Sequence, residues 1–168
     1  MRPGYGAPMR YRWDAGVVTV DEVEVARTGE GFWGLQPRFD LDGDEWVFRN
    51  DPEGLIGARD GVDRLGIERG RIWQSTWRMA GLSGPLTLTR TTSWLLGKLH
   101  FDLERDGARI GEVLPEGPWR YRPSLELSAA VEPIEAVFVL WCAARIDGRR
   151  PAHRISGGPS HAGTSGVG

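Results

Sequence analysis

The chain has 168 residues, and 40% of them are hydrophobic, including eight Trp, which is enough to fill the core of one domain and excludes disorder as the overall state. Its 21 basic and 23 acidic side chains leave a formal net charge of -2, which excludes a strong overall attraction to nucleic acid or anionic lipid. Lys98 is the only lysine, and this preference for arginine is typical of GC-rich coding DNA and favours a bacterial origin.

The two ends of the chain differ in composition from its middle. Residues 1–9 are rich in Pro and Gly, and residues 156–168 contain almost no side chain that could be buried. We therefore predict a flexible N-terminal segment over 1–9 and a single β-barrel domain over 10–150. A disordered tail rich in Gly, Ser and Pro is predicted over 151–168.

No export signal or membrane span is predicted. The N-terminal stretch lacks the apolar segment of a secretory signal, and no apolar run approaches the ~20 residues that span a bilayer. Cys142 is the single cysteine, which excludes an internal disulfide and fits a reducing compartment. We therefore expect a cytoplasmic protein that is not integral to a membrane.

Short apolar runs separated by turn residues predict a sheet of many strands. Apolar and polar side chains alternate most clearly at 86–90, 101–105 and 125–128, as they do in strands with one buried face. Similar runs predict further strands elsewhere in the chain. In chain order these are 17–25, 31–35, 55–59, 65–68, 72–79 and 119–122.

Two Asp-Gly pairs predict tight hairpins. Asp42-Gly43 and Asp106-Gly107 lie between apolar runs, and these residue types accept the positive φ angles of a two-residue turn. The strand pairs predicted around them are 38–41 with 46–49, and 99–105 with 109–114. Strands at this spacing, without helical periods between them, predict an antiparallel meander closed into a barrel or a sandwich.

A helix is predicted over 133–146. Pro133 suits the first helical position, Glu135 lies near the positive end of the helix dipole, and Gly148 can end the helix. Residues 136–144 include no charged side chain, so every face of this helix is apolar, which indicates a buried helix. Its predicted core side chains are Val137, Phe138, Leu140 and Trp141.

The alternative is a buried strand over 137–141, because β-branched and aromatic residues favour sheets. The length of the segment and its flanking residues favour the helix. A helix that is apolar on every face must be surrounded by sheet. We therefore predict a mainly β protein, an antiparallel closed β-barrel around a buried apolar C-terminal helix.

Three stretches carry a resemblance to a known family. Residues 45–57, Glu45-Trp-Val-Phe-Arg-Asn-Asp-Pro-Glu-Gly-Leu-Ile-Gly57, place a polar turn between apolar segments, 101–113 contain a hairpin, and 132–146 contain the apolar helix. In this order they resemble the Tubby C-terminal-like superfamily, which includes Tubby, phospholipid scramblase and LURP-one-related proteins. The resemblance implies a barrel of about twelve strands around the helix. In eukaryotic Tubby proteins it also implies a phosphoinositide site formed by basic side chains on the barrel wall.

The family's sites do not transfer residue by residue. This chain has one lysine, and no arrangement of its basic residues matches the Tubby lipid pocket. The membrane segment and the calcium site of the scramblases have no counterpart in it. Resemblance in fold alone therefore says little about activity.

Basic residues cluster at two places that suggest an anionic ligand. Arg120 and Arg122 alternate with aromatic residues, and Arg149 and Arg150 follow the predicted helix. Guanidinium groups beside aromatic rings can bind a phosphate, a lipid head group or a nucleic-acid backbone. The alternative is an ordinary solvated face, since strand alternation explains 119–122 equally well.

No catalytic, cofactor-binding or metal-binding constellation is predicted. Residues 40–45 cluster carboxylates as a calcium loop does, but the spacing of an EF-hand is not met, so a solvated hairpin turn is favoured. His153 and His161 lie in or near the predicted tail, which leaves His100 as a strand residue. Cys142, with no neighbouring base, is expected to pack as a small apolar side chain.

Three functions compete on this basis. The favoured one is a non-enzymatic binding or scaffold module of Tubby-like type, peripheral to the inner face of the membrane, with anionic phospholipid or a protein as its partner. The alternative is a β-barrel carrier of a small apolar ligand, with Trp side chains lining a cavity. A hydrolase is the least favoured, because it needs a nucleophile beside a base.

Overall fold

The computed structural model of the chain describes residues 8–14, 16–28, 36–70, 74–92, 98–116 and 122–148. Within them, twelve strands form one closed antiparallel barrel, and a helix follows the last strand. The prediction of a mainly β fold, closed around a buried apolar C-terminal helix, is confirmed. The elements are β1 (Met9–Asp14), β2 (Val17–Val20), β3 (Val23–Arg27), β4 (Arg38–Leu41), β5 (Asp44–Asp51), β6 (Gly54–Arg59), β7 (Val62–Glu68), β8 (Thr76–Gly81), β9 (Gly84–Arg90), β10 (Phe101–Arg105), β11 (Ala108–Glu116), β12 (Arg122–Leu127) and α1 (Pro133–Gly148).

The strands follow one another around the barrel in sequence order, and each pairs with its chain neighbours. The barrel closes where β1 pairs with β12, with Met9 opposite Leu127 and Arg12 opposite Ser124. No strand was predicted at β1. Only three of its six residues, Met9, Tyr11 and Trp13, are apolar, although they alternate as in a strand. Closure leaves no free strand edge in this sheet.

The strand predicted at 17–25 is wrong in its extent. Residues 17–25, predicted as one strand, form β2 and β3, because Asp21 and Glu22 turn the chain with φ angles of 48° and 71°. The strand predicted at 125–128 overlaps β12, which begins at Arg122 and runs through Pro123. Residues 119–121 of the strand predicted at 119–122 lie outside the described residues. Pro123 lies opposite Pro115 of β11, a position where neither residue has an N–H to donate.

The other strands occur where they were predicted, with shifted ends. β4 has the predicted bounds, whereas β5, β6, β7, β9 and β11 begin earlier than predicted and β10 begins later. β8 begins at Thr76 rather than at 72. The earlier starts arise because residues next to each tight turn join the ladder, as Val62 does opposite Arg59. The strand predicted at 31–35 lies outside the described residues.

Five tight turns lie at one end of the barrel, which we call the hairpin end. They occur at 21–22, 42–43, 60–61, 82–83 and 106–107, and α1 enters the barrel at the same end. Five carboxylate residues adopt positive φ there, a conformation that short polar side chains tolerate better than most. They are Asp21, Glu22, Asp42, Asp60 and Asp106.

Three of these hairpins contain a β-bulge at the same position. The register shifts leave the third residue of the second strand without a partner in the first strand. These residues are Val25 of β3, Arg64 of β7 and Ile110 of β11. Val25 packs against the core and Ile110 is buried, whereas Arg64 is exposed.

Helix α1 occupies the interior of the barrel. Residues 136–144 are at most 1% exposed, which includes the predicted core side chains Val137, Phe138, Leu140 and Trp141. Phe48 of β5 contacts both aromatic rings of the helix, with centroids 5.1 Å from Phe138 and 5.4 Å from Trp141. The alternative of a strand over 137–141 is therefore wrong, since this segment is helical.

Carboxylates fix the helix at both ends. At the hairpin end, the buried Glu135 accepts hydrogen bonds from the backbone N–H of Ser83 at 3.1 Å and from that of Glu132 at 3.1 Å. The bond to Glu132 is one half of a capping box. At the opposite end, Asp147 accepts a hydrogen bond from the backbone N–H of Leu99 at 3.1 Å. The helix is thus tied to two connections of the barrel.

Candidate anion-binding site on the barrel wall

Of the predicted basic patch, the structure describes one member. Arg122 begins β12 with a side chain that is 53% exposed, and it forms an ion pair with Asp14 of β1 at 3.5 Å. Arg120, Arg149 and Arg150 lie outside the described residues. The patch as a unit therefore stays a prediction.

The wall next to Arg122 carries arginines that are paired with carboxylates. Arg10 of β1 forms ion pairs with Glu116 of β11 and, at 3.4 Å, with Glu126 of β12. Arg12 lies 3.6 Å from the same Glu116 carboxylate. An anionic ligand would have to compete with these carboxylates, so this part of the wall is a poor anion site.

Most other arginines of the described wall are paired as well. Arg27 donates two hydrogen bonds to Glu24, and this lowers the pKa of the Glu24 carboxyl. Such exposed pairs add little to the stability of a fold, but they neutralise the local charge. Further pairs include Arg38 with Glu45 at 2.9 Å, Arg49 with Asp63 at 2.8 Å, Arg59 with Asp44 at 2.7 Å, and Arg109 with Asp102 at 2.9 Å and with Glu112 at 2.7 Å.

Three arginines on one part of the wall depart from this pattern, and we call them the arginine strip. Within the described part of the chain, the side chains of Arg64, Arg69 and Arg78 form no hydrogen bond and no ion pair. Arg64 belongs to β7, Arg69 follows β7, and Arg78 belongs to the neighbouring β8. All three are exposed. Their guanidinium groups keep their donors available to an external anion.

The backbone between these arginines carries little side-chain bulk. Gly66 of β7 lies directly opposite Ala80 of β8, so only small residues lie between Arg64 and Arg78 at this point of the wall. A planar guanidinium group donates two parallel hydrogen bonds to a phosphate or carboxylate, a geometry that lysine cannot reproduce. The strip can therefore bind an oxyanion without first breaking an internal ion pair.

The other candidate residues from the sequence lie in a turn, next to a strand and in the core. Asp40 accepts a hydrogen bond from the backbone N–H of Gly43 at 3.2 Å, as a turn residue does. His100 precedes β10 and lies outside the strand in which it was predicted. Cys142 is buried in the core. Among the described residues, no group of three or more His, Cys, Asp and Glu side chains is placed to hold a metal ion.

Sequence reasoning missed the arginine strip for a physical reason. Arg78 stands between the buried Trp77 and Met79, so alternation does place it on the outer face of β8. Whether an exposed arginine is paired depends on strands that are distant in the chain, as the pair of Arg10 with Glu116 across 106 residues illustrates. The sequence therefore indicates only that Arg78 points outward. It does not distinguish Arg78 from the paired arginines, which also point outward.

Comparison with known proteins leaves the family of this chain a prediction. No helix in the described ranges is long and apolar enough to cross a membrane. The resemblance to the Tubby C-terminal-like superfamily stays a prediction from the order of the sequence stretches. No protein-family model, no curated protein and no solved structure matches the chain.

Proposed function

We propose that this protein is a non-enzymatic binding module of Tubby-like architecture that binds anionic phospholipid head groups on the outer wall of its barrel. One observation carries the proposal: helix α1 fills the interior, so the groups able to bind a ligand lie on the outside. The expected location is the cytoplasm, at the inner face of the membrane.

The burial of Trp side chains argues against the carrier alternative. Trp13, Trp46, Trp77 and Trp141 are each at most 4% exposed and belong to the same hydrophobic core. A carrier needs an internal cavity lined by such rings. Here they pack against the helix and the strands, so an apolar ligand would have to displace the core itself. The other four Trp lie outside the described residues.

The arginine strip is the part of the described wall that best suits an anionic surface. Arg69 and Arg78 lie in the half of the barrel away from the hairpin end. The hairpin end carries exposed carboxylates on its turns, among them Asp42, Asp60 and Asp106, which repel an anionic membrane. We therefore expect Arg69 and Arg78 to face the membrane.

Sedimentation with vesicles tests this proposal. We expect the protein to bind phosphatidylcholine vesicles that contain a phosphoinositide, and not pure phosphatidylcholine, with binding that weakens as salt is added. Each arginine near an anionic surface contributes about 1 kcal/mol, so the double variant Arg69→Gln with Arg78→Gln should bind about 30-fold more weakly.

The matched control removes two positive charges that are already neutralised. Arg27→Gln with Arg38→Gln changes the net charge by the same amount, but both arginines pair with neighbouring carboxylates. This control should bind like the unmodified protein. Equal losses in both double variants would show that only net charge matters, and an absence of binding at low ionic strength would remove the lipid function.

The same assay tests the patch predicted from the sequence. Replacing Arg149 and Arg150 by Gln removes the two cations that follow the helix. A loss comparable with that of the strip variant would extend the lipid-contacting surface to this segment. No loss would limit that surface to the wall.

A further inference from the structure

A small depression opens on the barrel near the hairpin end, on the side of β5 to β8. Its volume is about 240 Å³, and the residues of the described ranges that line it are Trp46, Arg59, Arg64 and Leu82. Trp46 is buried at 3% exposure, whereas Leu82 is 45% exposed in the turn between β8 and β9. The depression thus combines apolar surface with two guanidinium groups.

The bulge on β7 places Arg64 in this depression. In the equivalent bulges of the other two hairpins the same position is aliphatic, Val25 and Ile110, and both side chains pack against the core. An exposed arginine at the bulge of β7 gives up that packing. A departure from a structural device repeated within one fold indicates that Arg64 is kept for its charge, at some loss of stability.

Arg64 is also the guanidinium of the depression that is available to a ligand. Arg59 is held by Asp44 at 2.7 Å and by Asp60 at 3.5 Å. Arg64 has no hydrogen bond or ion pair within the described part of the chain. One unpaired cation therefore stands beside apolar surface.

Two exposed aliphatic side chains lie on or next to the strands around this depression. The large hydrophobic residues that stand out as exposed in the described ranges are Val23, Val62 and Leu82, at 66%, 49% and 45%. Val62 begins β7, two residues before Arg64, and Leu82 lies just after the neighbouring β8. Trp and Arg are among the residue types enriched at the energetic centres of protein interfaces.

We propose that this depression docks a protein segment that presents a carboxylate beside an apolar side chain. The carboxylate would pair with Arg64, and the apolar side chain would enter the depression against Trp46 and Leu82. This partner lies beyond the lipid function and does not depend on it. A protein that binds lipid with one half of its barrel and a protein segment with the other would act as an adaptor.

Size and charge favour a protein segment over the other occupants. A volume of about 240 Å³ is below the ~300–1,000 Å³ of small-molecule pockets and suits one or two side chains. Asp60, 85% exposed in its side chain, lies at the rim beside Arg59 and would repel an anionic bilayer lying flat on this end.

Stability gives the first test, and it needs no ligand. If Arg64 is kept for binding, Arg64→Val should restore the aliphatic residue found at the other bulges and raise the melting temperature by about 2 °C. Arg78→Val, on the same wall but at a regular strand position, is the matched control and should change it less. A fall in melting temperature for Arg64→Val would show that the arginine is structural and would overturn the proposal.

Binding gives the second test, with N-acetyl-Gly-Leu as the probe. Its free carboxylate form should shift the amide resonances of residues 62–66 and 80–84 and the indole resonance of Trp46, and should bind about fivefold tighter than its C-terminal amide. Arg64→Gln should remove that preference, and Leu82→Ser should weaken both forms. Arg38→Gln, on β4 and paired with Glu45, should leave both unchanged.

Two results would overturn the docking site. One is equal binding of the acid and the amide. The other is binding to phosphoinositide vesicles that is lost in Arg64→Gln but kept when Arg69 and Arg78 are replaced, which would assign the depression to lipid. Failure of all vesicle binding would remove the proposed lipid function and leave this site standing.

Discussion

Glu135 anchors the start of helix α1 through several contacts of its side chain. Its carboxylate is fully buried and accepts hydrogen bonds from Ser83 N–H, Ser83 Oγ–H and Glu132 N–H, and it lies 3.7 Å from the guanidinium of Arg105. Gly81 is needed beside it, because a Cβ there would lie 2.5 Å from Oε1 of Glu135. The group thus ties the start of α1 to the turn between β8 and β9.

Removing this carboxylate should therefore be costly. We expect Glu135→Ala to lower the free energy of unfolding by about 3 kcal/mol, because Arg105 loses its carboxylate partner and the N–H groups of Ser83 and Glu132 lose their acceptor. Glu135→Gln keeps an acceptor oxygen and should lose less. Urea denaturation measures both, with the exposed Glu132→Gln as control. Equal stability of Glu135→Ala and the control would contradict this role.

Tyr11 predicts a pH dependence. Burial raises its pKa above 10.0, and the carboxylates of Glu132 and Asp21 raise it further. The unfolded chain begins to lose its phenol protons near pH 10, while the folded chain still holds that of Tyr11. The corresponding stability is complete below about pH 10 and is lost as the pH rises towards the folded pKa.

Alkaline denaturation with Tyr11→Phe measures this effect. Since the chain has one lysine and one cysteine, few other groups titrate between about pH 9 and 11. The unmodified protein should lose more free energy of unfolding over this range than Tyr11→Phe does. Parallel pH profiles for the two proteins would show that Tyr11 is not the group responsible.

Residues such as Glu135 show where prediction from the sequence stopped. Its place near the positive end of the helix dipole could be predicted from the chain, but its burial could not. Its partner Ser83 lies 52 residues away. The same holds for Arg64, whose significance depends on bulges in two other hairpins.

At the scale of elements, the helix could be predicted because its signal is local. Residues 136–144 are apolar on every face, and α1 is enclosed on every face. The turn between β2 and β3 could not be predicted from the sequence, because Asp21-Glu22 lacks the glycine that marks the turns at 42–43, 60–61 and 106–107. Propensity therefore favoured one long strand where the chain in fact reverses.

Enclosure of the helix makes a prediction for substitutions. Val137, Val139 and Leu140 point in different directions around α1, and each is at most 1% exposed. We expect Val137→Asp, Val139→Asp and Leu140→Asp each to destabilise the fold by at least about 4 kcal/mol, because an unpaired carboxylate must be desolvated. A helix lying on the surface would tolerate one of the three.

The matched control places the same substitution on an exposed valine. Val23 is 66% exposed, so Val23→Asp should cost less than about 1 kcal/mol. Thermal unfolding of all four variants is the measurement. A melting temperature for Val139→Asp or Leu140→Asp equal to that of Val23→Asp would contradict the enclosed helix.

At the scale of the whole molecule, architecture follows from the sequence more directly than binding does. Alternation, turn residues and one apolar helix together specify a closed barrel, because each helix face needs sheet against it. The binding surface depends instead on which outward charges find partners across strands. That pattern is a property of the closed barrel and leaves no local mark in the chain.

Closure also decides how the fold responds to truncation. β1 pairs with β2 and β12, and it buries Tyr11 and Trp13 in the core. Removing residues 1–14 would expose the edges of two strands and open the wall beside the helix. Exposed edges pair with other chains, so we expect this variant to aggregate, as size-exclusion chromatography would show.

Deletion at the other end provides the contrast. Residues 156–168 offer almost no apolar surface to bury, so their removal should leave the melting temperature within a few degrees of the full chain. The two deletions are similar in length, and the difference between them isolates strand closure from chain length. A stable monomer lacking residues 1–14 would mean that the remaining eleven strands close without β1, which the paired register of β12 with β1 argues against.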